Sequence, residues 1–140
     1  MADNTNNDVT FLSYNPTGFG EEKVSWVNDL VTTTNCSFVN LQETFLTQHS
    51  SGRKTTGSAT KVFGECFVDY KHFVVPAVRQ PGQTRGRASG GLAQLSTRSL
   101  DIQYDRVECS NHRFQAQIIQ FTNFKLLWGN ACLLYTSDAA

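Results

Sequence analysis

The chain is short of several things at once, and each shortage removes a class of protein. Among its 140 residues no apolar run approaches the length of about 18 residues that crosses a bilayer as a helix, so a membrane-spanning helix is not expected. Charge of one sign is missing too. Twelve basic and twelve acidic side chains cancel, so any attraction for nucleic acid has to come from a local surface and not from the field of the whole molecule. The four cysteines, Cys36, Cys66, Cys109 and Cys132, contain no CxxC pair. That spacing excludes the common zinc and dithiol motifs, and a chain large enough for its own core does not need disulfide staples. Reduced, buried thiols are the expectation. Residues 1–8 are polar and Asn-rich, without the cationic start and apolar run of a secretory signal. An intracellular protein, cytoplasmic or nuclear, is expected.

What the chain has is the composition of a folded protein. Apolar residues make up 39% and charged residues 17%, which suits one domain with a core and not a disordered chain. Residues 1–8 read as a disordered tail. The segment VTFLSY (9–14), rich in β-branched and aromatic residues, is predicted to be a strand, stopped by Asn15-Pro16-Thr17-Gly18. From Gly20 the apolar period changes to that of a helix. Val24, Val27, Leu30 and Val31 share a face, and Glu21 and Glu22 lie in the first turn, where the helix dipole favours acids. A second strand is predicted over SFVNLQ (37–42). Strand, helix crossover and strand imply a parallel pair with a right-handed connection.

The segment 47–60 is polar and aperiodic and is predicted to be a linker, with room for a short irregular helix before Val62-Phe63. CFVDYKHFVVPA (66–77) reads as a strand that Pro76 confines to an edge or an end. A Gly/Arg loop follows, carrying Arg79, Arg85 and Arg87. Strands are then predicted over 91–97, 100–106, 114–121 and 124–131, alternating so that one face meets a core. The final string CLLYTSDAA (132–140) looks like a translated sequencing-adapter tail, and the natural sequence is expected to end near Ala131.

Two strings carry chemistry. Asn15 and Glu43 each stand at the carboxyl end of a predicted strand, where open sheets collect ligands. Glu43 is a hard oxygen ligand of the kind magnesium takes alongside phosphate and water; an ordinary capping or surface glutamate fits its position equally. Asn15 could hold a phosphate oxygen or a water, although Asn-Pro followed by glycine is ordinary turn chemistry. Arg85 and Arg87 could touch a phosphate backbone, or simply decorate a solvated loop. His49, His72 and His112 are scattered and suggest no base.

Taken together these strings resemble the endonuclease/exonuclease/phosphatase superfamily, which includes the abasic-site endonucleases and DNase I. The residues that carry the resemblance are Leu12-Ser13-Tyr14-Asn15 with Gly18, the helix through Trp26, and Leu41-Gln42-Glu43-Thr44. They continue with Arg85 through Ala93, Arg113-Phe114-Gln115-Ala116-Gln117 and the strand to Trp128. The GRxxGGLAxL string is most similar to the endonuclease domain of non-LTR retrotransposons, which precedes a reverse transcriptase. The resemblance implies an α/β fold, the four-layer α/β sandwich of the DNase I-like type, here incomplete, with 9–131 forming its first half. It implies a hydrolase that cuts DNA phosphodiesters with Mg²⁺ or Mn²⁺. Asn15 and Glu43 would be active-site residues, Glu43 would be the metal ligand, and Arg85 and Arg87 would contact DNA.

The sequence departs from the family in three places. Thr17 stands where many members carry an acid. Asn130-Ala131-Cys132-Leu133-Leu134 stands where the family has Asn-x-Tyr-x-Pro. The Asp-x-Asn pair and the terminal Asp-His pair that complete the family's site are not in the sequence, so this chain is expected to be inactive without the missing half of its domain. The alternatives are a small non-enzymatic module that binds nucleic acid or protein, and a phosphatase of the same superfamily.

Overall fold

In the computed structural model, residues 8–48, 58–79, 81–82, 88–100 and 102–132 are described. Strands β1 (Phe11–Tyr14) and β2 (Phe38–Gln42) lie side by side in parallel, in register from Phe11 opposite Phe38 to Tyr14 opposite Leu41. Helix α1 (Glu21–Thr34) is the crossover between them, as its apolar period predicts. Val24, Val27 and Val31 are its buried face. Asn35 ends it in the left-handed conformation (φ 50°), and its N–H bonds back to the last turn.

Helix α2 (Ala59–Cys66) is longer than the sequence suggests, and it begins inside the expected linker. Ser58 caps it by accepting from the Lys61 N–H at 3.2 Å. Ala59, Val62 and Phe63 turn inward. Cys66, read as the start of a strand, is therefore the last residue of this helix; β3 begins at Tyr70 and runs to Val75. Its edge position and its stop before Pro76 are both as expected. Strands β4 (Leu92–Thr97), β5 (Gln103–Val107), β6 (Phe114–Gln120) and β7 (Lys125–Ala131) follow.

The result is a mixed α/β fold of two sheets. The first has the order β1-β2-β4-β3, with β4 antiparallel to both its neighbours; the second is an antiparallel β5-β6-β7. One face of the first sheet packs on the helices around Val27, Val31, Val39, Leu41, Phe63 and Leu95. Its other face meets the second sheet around Phe38, Ile119 and Trp128. The described residues thus form three layers, and no described helix covers the outer face of the second sheet, where Leu127 is 66% exposed.

Polar side chains do much of the joining between the sheets. Gln94, Gln115, Gln117 and Asn130 are all buried. Gln117 donates to Gln94 Oε1, and Gln94 donates to the Trp128 carbonyl and to Asn40 Oδ1. Asn40 donates to the Gly129 carbonyl, and Gln115 to the Phe73 carbonyl. In this arrangement β7 lies over β2, while β5 lies over β3 with Arg106 against the Phe73 ring. Strand β1 is an edge of the first sheet, and Trp128 of β7 meets its Phe11 edge-on at 6.3 Å. Phe11 also stacks on Phe38 at 4.7 Å yet stays 44% exposed.

The four cysteines are free, as expected of reduced thiols, but only Cys36 and Cys132 are buried; Cys66 and Cys109 are exposed. No helix among the described residues is long and apolar enough to cross a membrane. The expected tail over 1–8 falls, except for Asp8, outside the described residues. So does the suspected adapter string beyond Cys132.

Candidate functional site at the strand ends

Because β1 and β2 are parallel and in register, their carboxyl ends deliver Asn15 and Glu43 to the same edge of the sheet. The loops that leave those ends are tied together. The Gly18 N–H donates to the Glu43 carbonyl at 2.7 Å. The backbone there is unusual, since Thr17, Glu43 and Phe45 all hold positive φ (49°, 53° and 57°) without being glycine. Each such residue costs about 1 kcal/mol or more and persists only where its surroundings enforce it, which happens most often at functional sites.

The enforcing element is the start of β4. Thr44 and Phe45 donate their N–H groups to the carbonyls of Gly91 (3.2 Å) and Gly90 (3.0 Å). Gly91 has φ +93°, and a Cβ there would stand 2.4 Å from Thr44 Oγ1. Only glycine lets the two backbones approach this closely. The Gly-Gly of the GRxxGGLAxL string therefore acts as a cradle for the loop that carries Glu43.

Asn15 is exposed, and its side-chain oxygen accepts from the Thr17 N–H (3.0 Å) and from Thr17 Oγ1 (3.2 Å). This is an Asx turn, the turn chemistry its Asn-Pro context suggests. The Asn15 oxygen is thus engaged with Thr17, and among the described residues no hydrogen bond links Asn15 directly to Glu43.

Glu43 is half-buried, and its carboxylate accepts from the Cys132 thiol at 3.9 Å. Burial chiefly, and the Glu43 charge after it, push the Cys132 thiol pKa above its ordinary value, against the opposing pull of Arg113. The thiol therefore stays protonated and donates. Arg113 reaches Cys132 Sγ (3.8 Å) and donates to Ser89 Oγ at 2.6 Å. Cys132, the residue after the last of β7, thus faces Glu43 across the strand ends.

The residue just before Glu43 is held as well. Gln42 donates to Asn130 Oδ1 (2.8 Å) and to Ser13 Oγ (3.0 Å). Asn130 in turn donates to Gln115 Oε1 and to the carbonyls of Leu41 and Ala93. The sequence reading gave Gln42, Asn130, Arg113 and Ser89 no role in the site. All four lie in or beside the strings that carry the resemblance, but nothing in their local pattern assigns them these contacts. Arg85 and Arg87, the expected DNA contacts, lie outside the described residues, and so does His49.

Chemically, the edge offers one carboxylate beside an amide, a hydroxyl and a guanidinium. Among the described residues no group of three or more His, Cys, Asp or Glu could enclose a metal ion. A fully protein-made cage is therefore not available to these residues. A single carboxylate still suits magnesium, which commonly takes one or two protein carboxylates and completes its shell with phosphate and water.

No family model matches the chain, and a search of curated proteins finds no match.

Proposed function

We propose that this chain is the amino-terminal half of a metal-dependent endonuclease domain of the endonuclease/exonuclease/phosphatase superfamily, of the retrotransposon kind, whose substrate is DNA. The observation that carries the reading is the convergence of Asn15 and Glu43. Both stand at neighbouring parallel strand ends, their loops are bonded through Gly18, and a Gly-Gly cradle enforces the strained backbone at Glu43. In this reading the fold is one half of a DNase I-like sandwich. The uncovered outer face of the second sheet and the open edge at strand β1 are the surfaces its other half would meet.

In the intact domain Glu43 holds Mg²⁺ or Mn²⁺, and the ion, when bound, supplies positive charge against the scissile phosphate. Asn15, its oxygen occupied by Thr17, turns its amide nitrogen to a phosphate oxygen. Arg113, fixed by Ser89, adds positive charge at the same edge. Arg85 and Arg87 contact the DNA backbone. A second acid and a base to activate water come from the missing half, so the 140 residues alone bind without cutting.

Manganese titration of the chain, followed by paramagnetic broadening of backbone amides, tests the binding half of this reading. Broadening centred on Gln42 to Phe45, and lost in Glu43→Ala, is the expected result; broadening that survives the substitution rejects Glu43 as the ligand. The cutting half is tested in the longer reading frame. Mg²⁺-dependent nicking of supercoiled DNA should disappear in Glu43→Ala, whereas hydrolysis of inositol phosphates without nicking would move the protein to the phosphatase branch.

A further inference from the structure

The same end of the sandwich carries a second feature with chemistry of its own. An open groove of about 940 Å³ lies between the end of β3 and the β5–β6 connection. Phe73 lines it, with the Arg106 guanidinium 4.4 Å from the ring centroid. Arg106 also donates to the His72 carbonyl at 3.3 Å, so the cation is held in place from two directions. Phe114, at the start of β6, lines the groove and is 40% exposed. Glu108, Asn111 and His112, from the β5–β6 connection, complete it. The volume falls within the range of about 300–1,000 Å³ typical of ligand sites.

These groups form a particular set. Phe114 offers a π-surface. Arg106, stacked and anchored, offers a fixed positive charge, with most of its five N–H donors beyond the one spent on His72. Glu108 and Asn111 offer an acceptor and an amide of the kind that read base edges. A nucleotide has a matching part for each: a flat base, a phosphate and edge hydrogen-bonding groups. Stacking on an exposed aromatic ring requires a base that is not already paired, which selects single strands over duplex. The groove opens at the same end of the sheets as the candidate site: Gln115, which lines it, accepts from Asn130, and Asn130 accepts from Gln42 beside Glu43.

We propose that this groove holds one unpaired nucleotide of a single-stranded nucleic acid, its base stacked on Phe114 and its phosphate on Arg106. The nuclease reading supplies the substrate class on which this rests; the groove narrows that substrate to nucleic acid with an unpaired base next to the cut.

The test is fluorescence anisotropy of a labelled oligothymidylate with the 140-residue chain, in chelator so that metal plays no part. The expected result is saturable binding that weakens with salt. Phe114→Leu, which keeps bulk against Gly129 but removes the π-face, should weaken it at least ten-fold, and Phe114→Trp should retain it. Arg106→Gln should weaken it and flatten the salt dependence by about one phosphate contact. Equal affinity for the corresponding duplex, or wild-type affinity in Phe114→Leu, overturns the proposal. If Phe114→Leu unfolds, amide shift changes on titration decide instead: changes at Phe114 and around 106–112 support the groove, and changes confined elsewhere reject it. Groove binding without manganese broadening at Glu43 would leave this site standing and remove the nuclease reading, and the reverse result would do the opposite.

Discussion

Gln42 on β2 and Asn130 on β7 join the two sheets through a 2.8 Å hydrogen bond from Nε2 to Oδ1, one residue away from Glu43. Asn130 is buried, and its own amide N–H groups go to Leu41, Ala93 and Gln115. Asn130→Leu would remove all of these, leaving Gln42 only its bond to Ser13 and depriving Gln115 Oε1 and the Leu41 and Ala93 carbonyls of this donor. Stranded buried polar groups cost about 1–3 kcal/mol each, and partial solvation returns some of that, so a total loss of about 3 kcal/mol is expected. Urea unfolding should show it as a lower midpoint. A loss below about 0.5 kcal/mol, the range of ordinary surface changes, would mean the network is not structural.

Gly91→Ala tests the cradle. A Cβ at φ +93° and 2.4 Å from Thr44 Oγ1 is strained in two ways at once. The expected loss of stability is about 2 kcal/mol, and the amide shifts of Thr44 and Phe45 should move more than those of the distant strand β5. Gly82, also at positive φ but with open space around its notional Cβ, is the control: its alanine variant should shift nothing at Thr44.

His72 gives the fold a dependence on acid. Burial first, then the charges of Arg98 and Arg106, hold its pKa below the ordinary 6.5. Its Nδ1 is buried with no partner among the described residues. A histidine in this state binds fewer protons folded than unfolded, so its contribution is present in full above pH 6.5 and declines as the pH falls below that value. The urea midpoint should therefore drop between about pH 7 and about pH 5, the range in which an ordinary histidine takes up its proton. His72→Phe should reduce that slope, and an unchanged slope would assign it to other groups.

The uncovered face of the second sheet makes a prediction about solubility. Phe114, Ile118 and Leu127 are all exposed on it, and apolar patches on a sheet with an open edge promote association. Leu127→Lys should cut light scattering at high concentration while leaving the thermal midpoint within about 2 °C, as expected of a surface change. Scattering that persists would place the sticky surface elsewhere, with Phe11 the next to change.

The parts of the fold legible in the sequence are those fixed by local period. The strand, helix and strand from β1 to β2 were readable because each period is carried by adjacent residues, and their parallel pairing follows from the connection. Helix α2 was misjudged for the same reason in reverse. Its eight residues hold few apolar positions, Ala59 and Val62-Phe63 with Phe67 just past the end, and the aromatic, β-branched run that follows extends a strand pattern backwards over Cys66. The position of β4 between β2 and β3 was not legible, because sheet order is a long-range choice.

The most misleading stretch is β6. Phe114, Ala116 and Ile118 alternate with Gln115 and Gln117, so alternation alone places the apolar set inside. The structure turns the glutamines inward, because Gln94 and Asn130 wait there to bond them. The positions of Asn15 and Glu43 at neighbouring strand ends were legible, because each follows a strand; the contacts of Arg113 with Ser89 and Cys132 were not, because only the fold brings them together.

That inward turn has a thermal consequence. Exposing apolar surface on unfolding raises the heat capacity by about 0.45 cal/K/mol per Å², whereas exposing polar surface lowers it by about 0.26. A seam between sheets built on Gln94, Gln115, Gln117 and Asn130 therefore releases amides where another sandwich would release hydrocarbon. The free energy of unfolding should trace a shallower arch against temperature than chain length alone would suggest. Such a protein surrenders little of its stability on cooling, and it loses its two sheets to heat over a broad range of degrees.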